Sequence, residues 1–316
     1  MIKISIIVPV YNVENYIQRC AQSLFEQTLS DLEFVFVDDN SPDKSIDILN
    51  TIVEKYPDRK NHVKIVKHKQ NSGLPTARYS GVKESSGEYI LHCDSDDWLL
   101  PETCEELYYT AINNNSDVVV FDLMRTDGKY IKAANTADIH RFTLDMMYMR
   151  SSWSVVNKLF KRSVYNVVEK YPTRNVGEDM GLCLQLIYGC KVMSYIPKAY
   201  YQYFVNPSSM SNGITVIKAL NRYVDAKDNV DLVLDFYNTR CKTKAITDGL
   251  TYVKWSVRRI IYGTIYRHDC FKIWASTYPG IGIRLLVNPE VRFKEKIKII
   301  LTYLHVCPLR KERILS

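Results

Sequence analysis

The chain has 316 residues, 46% of them hydrophobic, which suits one catalytic-sized domain plus a smaller region and excludes a wholly disordered chain. The net charge of +7 hides an asymmetry: residues 1–127 carry 12 Lys/Arg against 21 Asp/Glu, and residues 128–316 carry 30 against 14. The acidic front half argues against a nucleic-acid groove there, whereas the basic back half suits an anionic acceptor, an anionic membrane surface or a solvated basic face.

Residues 4–10 are a nearly continuous apolar, β-branched run, as expected of a strand buried on both faces. A helical pattern follows over 14–27, and residues 33–37 form a second strand ending at Asp38-Asp39. A helix over 45–55, a strand over 63–66 and a helix over 73–83 come next. The fourth strand, 88–93, ends at Asp94-Ser95-Asp96-Asp97. Pro101 opens a helix over 102–113, and a fifth strand covers 118–122. This alternation predicts βαβ units and a mainly parallel sheet. Beyond Thr126 the pattern loosens. It predicts strands over 157–161, 192–196 and 200–205, a helix over 178–188, and two helices between 216 and 267 broken near 238–242. The predicted organisation is a catalytic domain over 1–210 and a helical region over 211–316.

Several chemistries are absent from the pattern. Cys20, Cys93, Cys104, Cys183, Cys190, Cys241, Cys270 and Cys307 include no CxxC pair and no zinc spacing, so buried reduced thiols are expected. Neither a dinucleotide fingerprint nor a phosphate-binding P-loop sequence occurs. The chain opens directly into a strand pattern without a signal peptide, and no apolar run approaches the ~20 residues of a spanning helix. A cytoplasmic location, at most peripheral to the inner membrane face, is the expectation.

The polar clusters fall just beyond strand ends, where open α/β sheets bind ligands. Asp94-Ser95-Asp96-Asp97 packs carboxylates densely enough to require a cation or a hydrogen-bond network. Oxygen ligands without His or Cys suit Mg²⁺ or Mn²⁺, completed by substrate phosphates. The competing reading is an acidic turn capping the helix at Pro101, with Asp97 near the cap. Asp39 can accept hydrogen bonds from a ribose or base, or belong to an Asx-turn feeding the next helix; both can hold at once. Residues 71–78 open a helix whose N-terminus attracts phosphate, with Arg78 one turn in; alternatively Arg78 is a surface salt-bridge partner. Glu178-Asp179 sits at a helix N-terminus, where the dipole alone would favour carboxylates.

Taken in order, Ser5 to Asn12, Val37 to Asp43, Asn71 to Gly81 and Gly87 to Trp98 resemble the motif series of family-two glycosyltransferases with the GT-A fold. Asn157-Lys158-Leu159-Phe160-Lys161 and Gly177-Glu178-Asp179 resemble that family's two later signatures, so the resemblance spans roughly residues 1–205. It implies a GT-A, Rossmann-like, mainly parallel sheet flanked by helices, and an inverting transfer from a nucleotide-diphosphate sugar, by resemblance a UDP-sugar. It also implies roles by position. Pro9, Tyr11 and Asp39 match positions that hold nucleobase and ribose. Asn71 and Arg78 match the donor-contacting helix start. Asp94, Ser95 and Asp96 form the DxD segment, with Asp96 on Mn²⁺ or Mg²⁺ and Asp94 nearer the nucleotide. Asp179 matches the general base. Asn40 stands where the family often has Gly, and Asn tolerates the same left-handed backbone.

The implied acceptor is a glycan, and bacterial enzymes that resemble this chain often extend lipid-linked ones. Two alternatives remain: a sugar nucleotidyltransferase, which would normally show a Gly/Arg/Lys-rich loop where this chain has Tyr11-Asn12-Val13-Glu14, and a catalytically inactive assembly scaffold. From Val291 to Ser316 the tail carries seven Lys/Arg against two Glu, with Ile297, Ile299, Ile300, Leu301, Leu304 and Val306 among them. Such a segment either lies in a membrane interface or docks on the catalytic domain.

Overall fold

The structure, a computed structural model, describes residues 1–205 and 215–304. In chain order the elements are β1 (Ile4–Val10), α1 (Ile17–Phe25), β2 (Leu32–Asp38), α2 (Ser45–Val53), α3 (Pro57–Lys60), β3 (Val63–Lys67), α4 (Leu74–Glu84), β4 (Tyr89–His92) and β5 (Trp98–Leu99). There follow α5 (Thr103–Asn113), β6 (Val118–Arg125), β7 (Tyr130–Ile131), α6 (Ile139–Met147), β8 (Lys158–Lys161), α7 (Glu178–Gly189) and β9 (Met193–Tyr203). The remaining helices are α8 (Val216–Asn238), α9 (Lys244–Ile260), α10 (His268–Ser276), α11 (Ile281–Val287) and α12 (Phe293–Tyr303).

One sheet runs β3-β2-β1-β4-β8-β6-β9-β5, with β7 paired to β6. The first four strands are mutually parallel, and β8 enters antiparallel between β4 and β6. β1, β2 and β4 are buried along their whole length, which matches their unbroken apolar runs. Because they neighbour one another and run the same way, their carboxyl ends open on one edge. α4 packs so closely on β1 that a Cβ at Gly81 would lie 2.3 Å from Ile7 Cγ2, so only glycine permits that approach.

The two strands expected over 192–196 and 200–205 are a single bent strand, β9. It pairs with β6 over Met193–Ile196, at Ala199 and over Tyr201–Tyr203, and the register shifts on either side of Asp122 absorb the bend. Pro197 falls at the bend, and that break in alternation made one strand read as two. The short elements β5, β7, α3 and α6 were not legible from periodicity. The helices beyond β9 pack back onto the sheet layer: Tyr237 of α8 donates to the Leu184 carbonyl of α7 at 2.8 Å. Thr215 and Thr243 cap α8 and α9 through their side chains. The expected break between the two helices lies at residues 239–243. The expected boundary at residue 210 lies outside the described residues.

Candidate active site

The loops after β1, β2 and β4 are tied to one another. Asn12 N–H donates to Ser41 Oγ at 2.8 Å, and Glu14 N–H to Asp43 Oδ2 at 2.8 Å. Asn40 adopts φ 57°, the left-handed backbone expected there. Arg19 of α1 donates to the Asp96 carbonyl at 2.8 Å and lies over the rings of Trp98 and Phe204. Pro9 is buried in β1, whereas Tyr11 is exposed at the edge.

Asp39 is buried beneath the turn into α4. Its Oδ1 accepts from Ser72 N at 2.8 Å and faces His68 Nδ1 at 2.7 Å; its Oδ2 accepts from Gly73 N at 2.8 Å. The carboxylate therefore fixes the backbone in which Asn71, itself exposed, begins the approach to α4. Oδ2, with a single donor, keeps a lone pair available.

Arg78 is not a surface residue; its side chain is 2% exposed. Its Nη2 donates to Asp94 Oδ1 at 2.9 Å, its Nε to Glu178 Oε1 at 3.2 Å, and Asp179 Oδ1 lies 3.9 Å from Nη2. Carboxylates from β4's end and α7's first turn thus converge on one guanidinium. Burial works against that charge, but Glu178, Asp94 and Asp179 outweigh it and hold Arg78 cationic. Burial pushes Glu178 well above the usual carboxylate range, and Asp179 adds to the push. Burial also raises Asp94, opposed by Arg78 and reinforced by Asp179, although about a third of its side chain reaches solvent. One guanidinium does not balance three acids.

Asp97 does not cap the helix after Pro101. Its Oδ2 accepts from Tyr201 OH at 2.6 Å and its Oδ1 from Phe204 N at 2.6 Å. The same Tyr201 oxygen accepts Asp94 N–H at 3.0 Å. β9 therefore fixes the acidic turn from behind, while Asp94 and Asp96 remain half-exposed on the open side and Ser95 is buried between them. Burial and the two neighbouring aspartates push Asp97 up to about 8.

Against this geometry, the model of glycosyl transferase family 2 matches residues 5–162, half of the chain. The chain belongs to glycosyl transferase family 2. Among its relatives, EpsH of Bacillus subtilis is 30% identical over 231 residues, covering 66% of this chain and 62% of that one. A poly(ribitol-phosphate) β-glucosyltransferase of Bacillus spizizenii is 30% identical over 237 residues, 73% of this chain and 37% of that one. The first three relatives are thus matched over 62%, 33% and 37% of their own lengths. Among solved structures, Staphylococcus aureus TarS in complex with UDP superposes with TM-score 0.66 at 21% identity, covering 96% of this chain and 88% of that one. That likeness establishes the GT-A fold, with mixed α/β layering and a helical C-terminal region.

In this family member the donor set suits a hard divalent cation. The half-exposed acids present oxygen only, and behind them Glu178 Oε2 and Asp179 Oδ1 are buried with no hydrogen-bond partner among the described residues, Arg78 Nη2 lying 3.9 Å from the latter. Among the described residues no group of three His, Cys, Asp or Glu could hold a metal by itself. An ion completed by substrate phosphates needs no such group.

Sequence reasoning passed over Glu178 as a partner of Arg78, Asp97 as the buttress of the acidic turn, and Tyr201 altogether. Adjacency to Asp179 and Asp96 was the only signal for the two acids. Nothing local to Tyr201 announces a partner 104 positions away. Lys158, in the later signature, is buried and donates to the carbonyls of Ser152 and Ser154 at 2.9 and 2.6 Å, which orders the loop before β8.

Proposed function

We propose that this chain transfers a sugar, with inversion, from a UDP-sugar to a hydroxyl of a glycan acceptor, lipid-linked or otherwise, in cell-surface polysaccharide synthesis. The observation that carries the reading is the convergence of Asp94, Glu178 and Asp179 on Arg78. It unites the ends of β4, α4 and α7 in one half-open acidic site. Support for the nucleotide and acceptor comes from a fold neighbour bound to UDP and a relative named for poly(ribitol phosphate).

In this reading Pro9, Tyr11 and Asp39 line the nucleobase and ribose, with Asp39 Oδ2 accepting from a ribose hydroxyl. Asn71 and the start of α4 face the donor, and Asp94, Ser95 and Asp96 border its diphosphate. Asp96 would hold Mn²⁺ or Mg²⁺, whose positive charge would offset that of the leaving diphosphate. Arg78 acts from beneath: it sets the positions of Asp94 and Asp179 and offsets part of their charge. Asp179 takes the proton of the acceptor hydroxyl as that oxygen forms its bond to the anomeric carbon. The bond from anomeric carbon to phosphate oxygen breaks, and the nucleoside diphosphate departs with the electron pair. A single displacement inverts the centre. Residues 1–210 would carry this chemistry and the helical region 211–316 would brace it, at the cytoplasmic side of the membrane.

Calorimetry with UDP, GDP and ADP in Mn²⁺ tests the donor, and product release from UDP-sugars tests catalysis. UDP is expected to bind most tightly, and at least one UDP-sugar to turn over. Equal affinities would remove the UDP assignment. Nucleotide binding without hydrolysis or transfer of any sugar would favour the inactive scaffold.

A further inference from the structure

α12 presents an apolar stripe to solvent. Phe293, Ile297, Ile300 and Leu304, spaced by four, three and four residues, are 75%, 41%, 45% and 63% exposed. That spacing puts them on one side of a helix. The opposite side is anchored: Ile299 and Thr302 are fully buried, and Tyr303 OH accepts from the buried Arg258 at 2.8 Å. The stripe therefore faces outward by construction, because turning it inward would pull Ile299 out of the core. α11 lies beside it, Gly282 sitting against the Tyr303 ring, and adds the exposed Ile283 and Val287 one turn apart.

The flanks are basic. Arg292, Lys294, Lys296 and Lys298 surround the stripe, and the acid among them, Glu295, is already engaged by Lys298 at 2.9 Å. A second copy docking on this face by symmetry would set those cations against themselves. A surface of anionic headgroups over an acyl layer matches both the apolar stripe and its flanks. No described helix is long and apolar enough to cross a membrane, so the contact is interfacial.

We propose that the outer face of α11 and α12 is a docking surface for an anionic lipid bilayer. This inference stands apart from the sugar chemistry, and failure of either leaves the other intact. Of the tail expected over 291–316, it takes only the part in α12, adds α11, and places the contact on the outer side of a helix that is itself docked on the protein.

The experiment is co-sedimentation of the full chain with vesicles of phosphatidylglycerol and phosphatidylcholine in equal parts, or of phosphatidylcholine alone. The full chain is expected to bind the anionic vesicles, more weakly as salt rises, and to leave the neutral ones largely unbound. Phe293→Ser with Ile297→Ser, and separately Lys294→Glu with Lys298→Glu, are each expected to weaken binding on the order of tenfold or more. Both pairs point outward, so melting temperature is expected to hold, and nucleotide binding reports on the active site independently. Deletion of residues 305–316 is expected to leave most of the binding in place. Binding that ignores both pairs of substitutions would overturn the proposal, as would binding lost entirely with residues 305–316. A solution dimer that Ile297→Ser dissolves would assign the face to a second copy and overturn it equally.

Discussion

Arg78 Nη2 donates to Asp94 Oδ1 at 2.9 Å, joining α4, one turn in from its start, to the acidic end of β4 beneath the open site. Removing the guanidinium leaves Asp94, Glu178 and Asp179 facing one another without a counter-charge. Arg78→Ala is expected to destabilise the protein by about 3–5 kcal/mol, the usual cost of stranding a buried charge. Mn²⁺ is expected to raise the melting temperature of this variant more than that of the parent, because the ion then replaces missing positive charge. Thermal denaturation with and without Mn²⁺ checks both points; equal metal shifts in the two proteins would detach Arg78 from the cation site.

Asp96 lies on the same turn, its side chain half-buried. Asp96→Asn keeps the shape and removes the charge. It is expected to abolish most metal-dependent nucleotide binding while leaving the melting temperature near that of the parent. Titration of UDP with and without Mn²⁺ reads the effect, and an unchanged metal dependence would count against Asp96 as ligand.

Asp179 lies across Arg78 from Asp94, about a third exposed. Asp179→Asn keeps the shape but removes the proton acceptor and one negative charge from the cluster around Arg78. Transfer is expected to fall by ~10²–10⁴, the ordinary worth of a general base, with UDP affinity retained. Single-turnover transfer beside nucleotide calorimetry separates the two quantities. Joint loss would make Asp179 part of the binding site instead of the base.

The first four strands and the carboxylates at the ends of β2 and β4 were legible because parallel buried strands have long apolar runs punctuated by polar loops. β1, β2 and β4 announce themselves that way. β3 has mostly exposed side chains, but its length and flanks still mark a strand. What sequence could not disclose is which side chains meet across long separations. Arg78 and Glu178 stand 100 positions apart, and Tyr201 and Asp97 stand 104 apart. The second contact arises from the strand order, in which β9 is brought back to pair with β5 and β6, and the first from α7 starting beside α4. The seven described cysteines are free and six are buried, as their spacing predicted, while Cys307 lies outside the described residues. Of the basic tail, residues up to Leu304 are described, with Phe293–Tyr303 forming α12; Val306, Arg310, Lys311, Glu312 and Arg313 lie outside the described residues.

Glu33 links β2 to β1 and to the turn before β4. It accepts from Ser5 Oγ at 2.5 Å and from Ser86 N and Oγ at 2.7 and 2.9 Å, and pairs with Lys64 at 2.7 Å. Burial raises its pKa, but Lys64, Ser5 and Ser86 outweigh burial and hold the carboxyl below the usual glutamate range. A depressed carboxylate contributes stability that is present above the unfolded value, about 4.3, and is lost as pH falls through the folded one. Glu33→Gln is expected to lower stability at neutral pH and to flatten the loss of stability below about pH 4.3. Urea denaturation across that range checks it; parallel pH curves for both proteins would exclude Glu33 as a source of acid sensitivity.

Asn229 of α8 reaches the loop that precedes α7. Its buried Nδ2 donates to the carbonyls of Arg174 and Val176, both at 2.9 Å. Asn175, held between them, accepts Leu74 N–H at 3.2 Å at the start of α4. One amide thus fixes the segment that leads into Gly177, in the left-handed region at φ 81°, and then into Glu178 and Asp179. Asn229→Asp keeps the volume but replaces a double donor by an acceptor facing two carbonyls. The loop is expected to move, and α7's first turn with it. A displacement on the order of 1 Å at a reacting group costs up to about a hundredfold in rate. kcat is therefore expected to fall by about tenfold to a hundredfold, while UDP affinity, which in the proposed reading rests mainly on Pro9, Tyr11 and Asp39 and only in part on the α4 start that Asn175 touches, is expected to fall less. Asn229→Ala removes the donor without adding repulsion and is expected to lose less. Steady-state kinetics for both variants, beside UDP calorimetry, measure the split. A loss of UDP affinity matching the loss of kcat would show that Asn229 supports the fold at large and does not position Asp179.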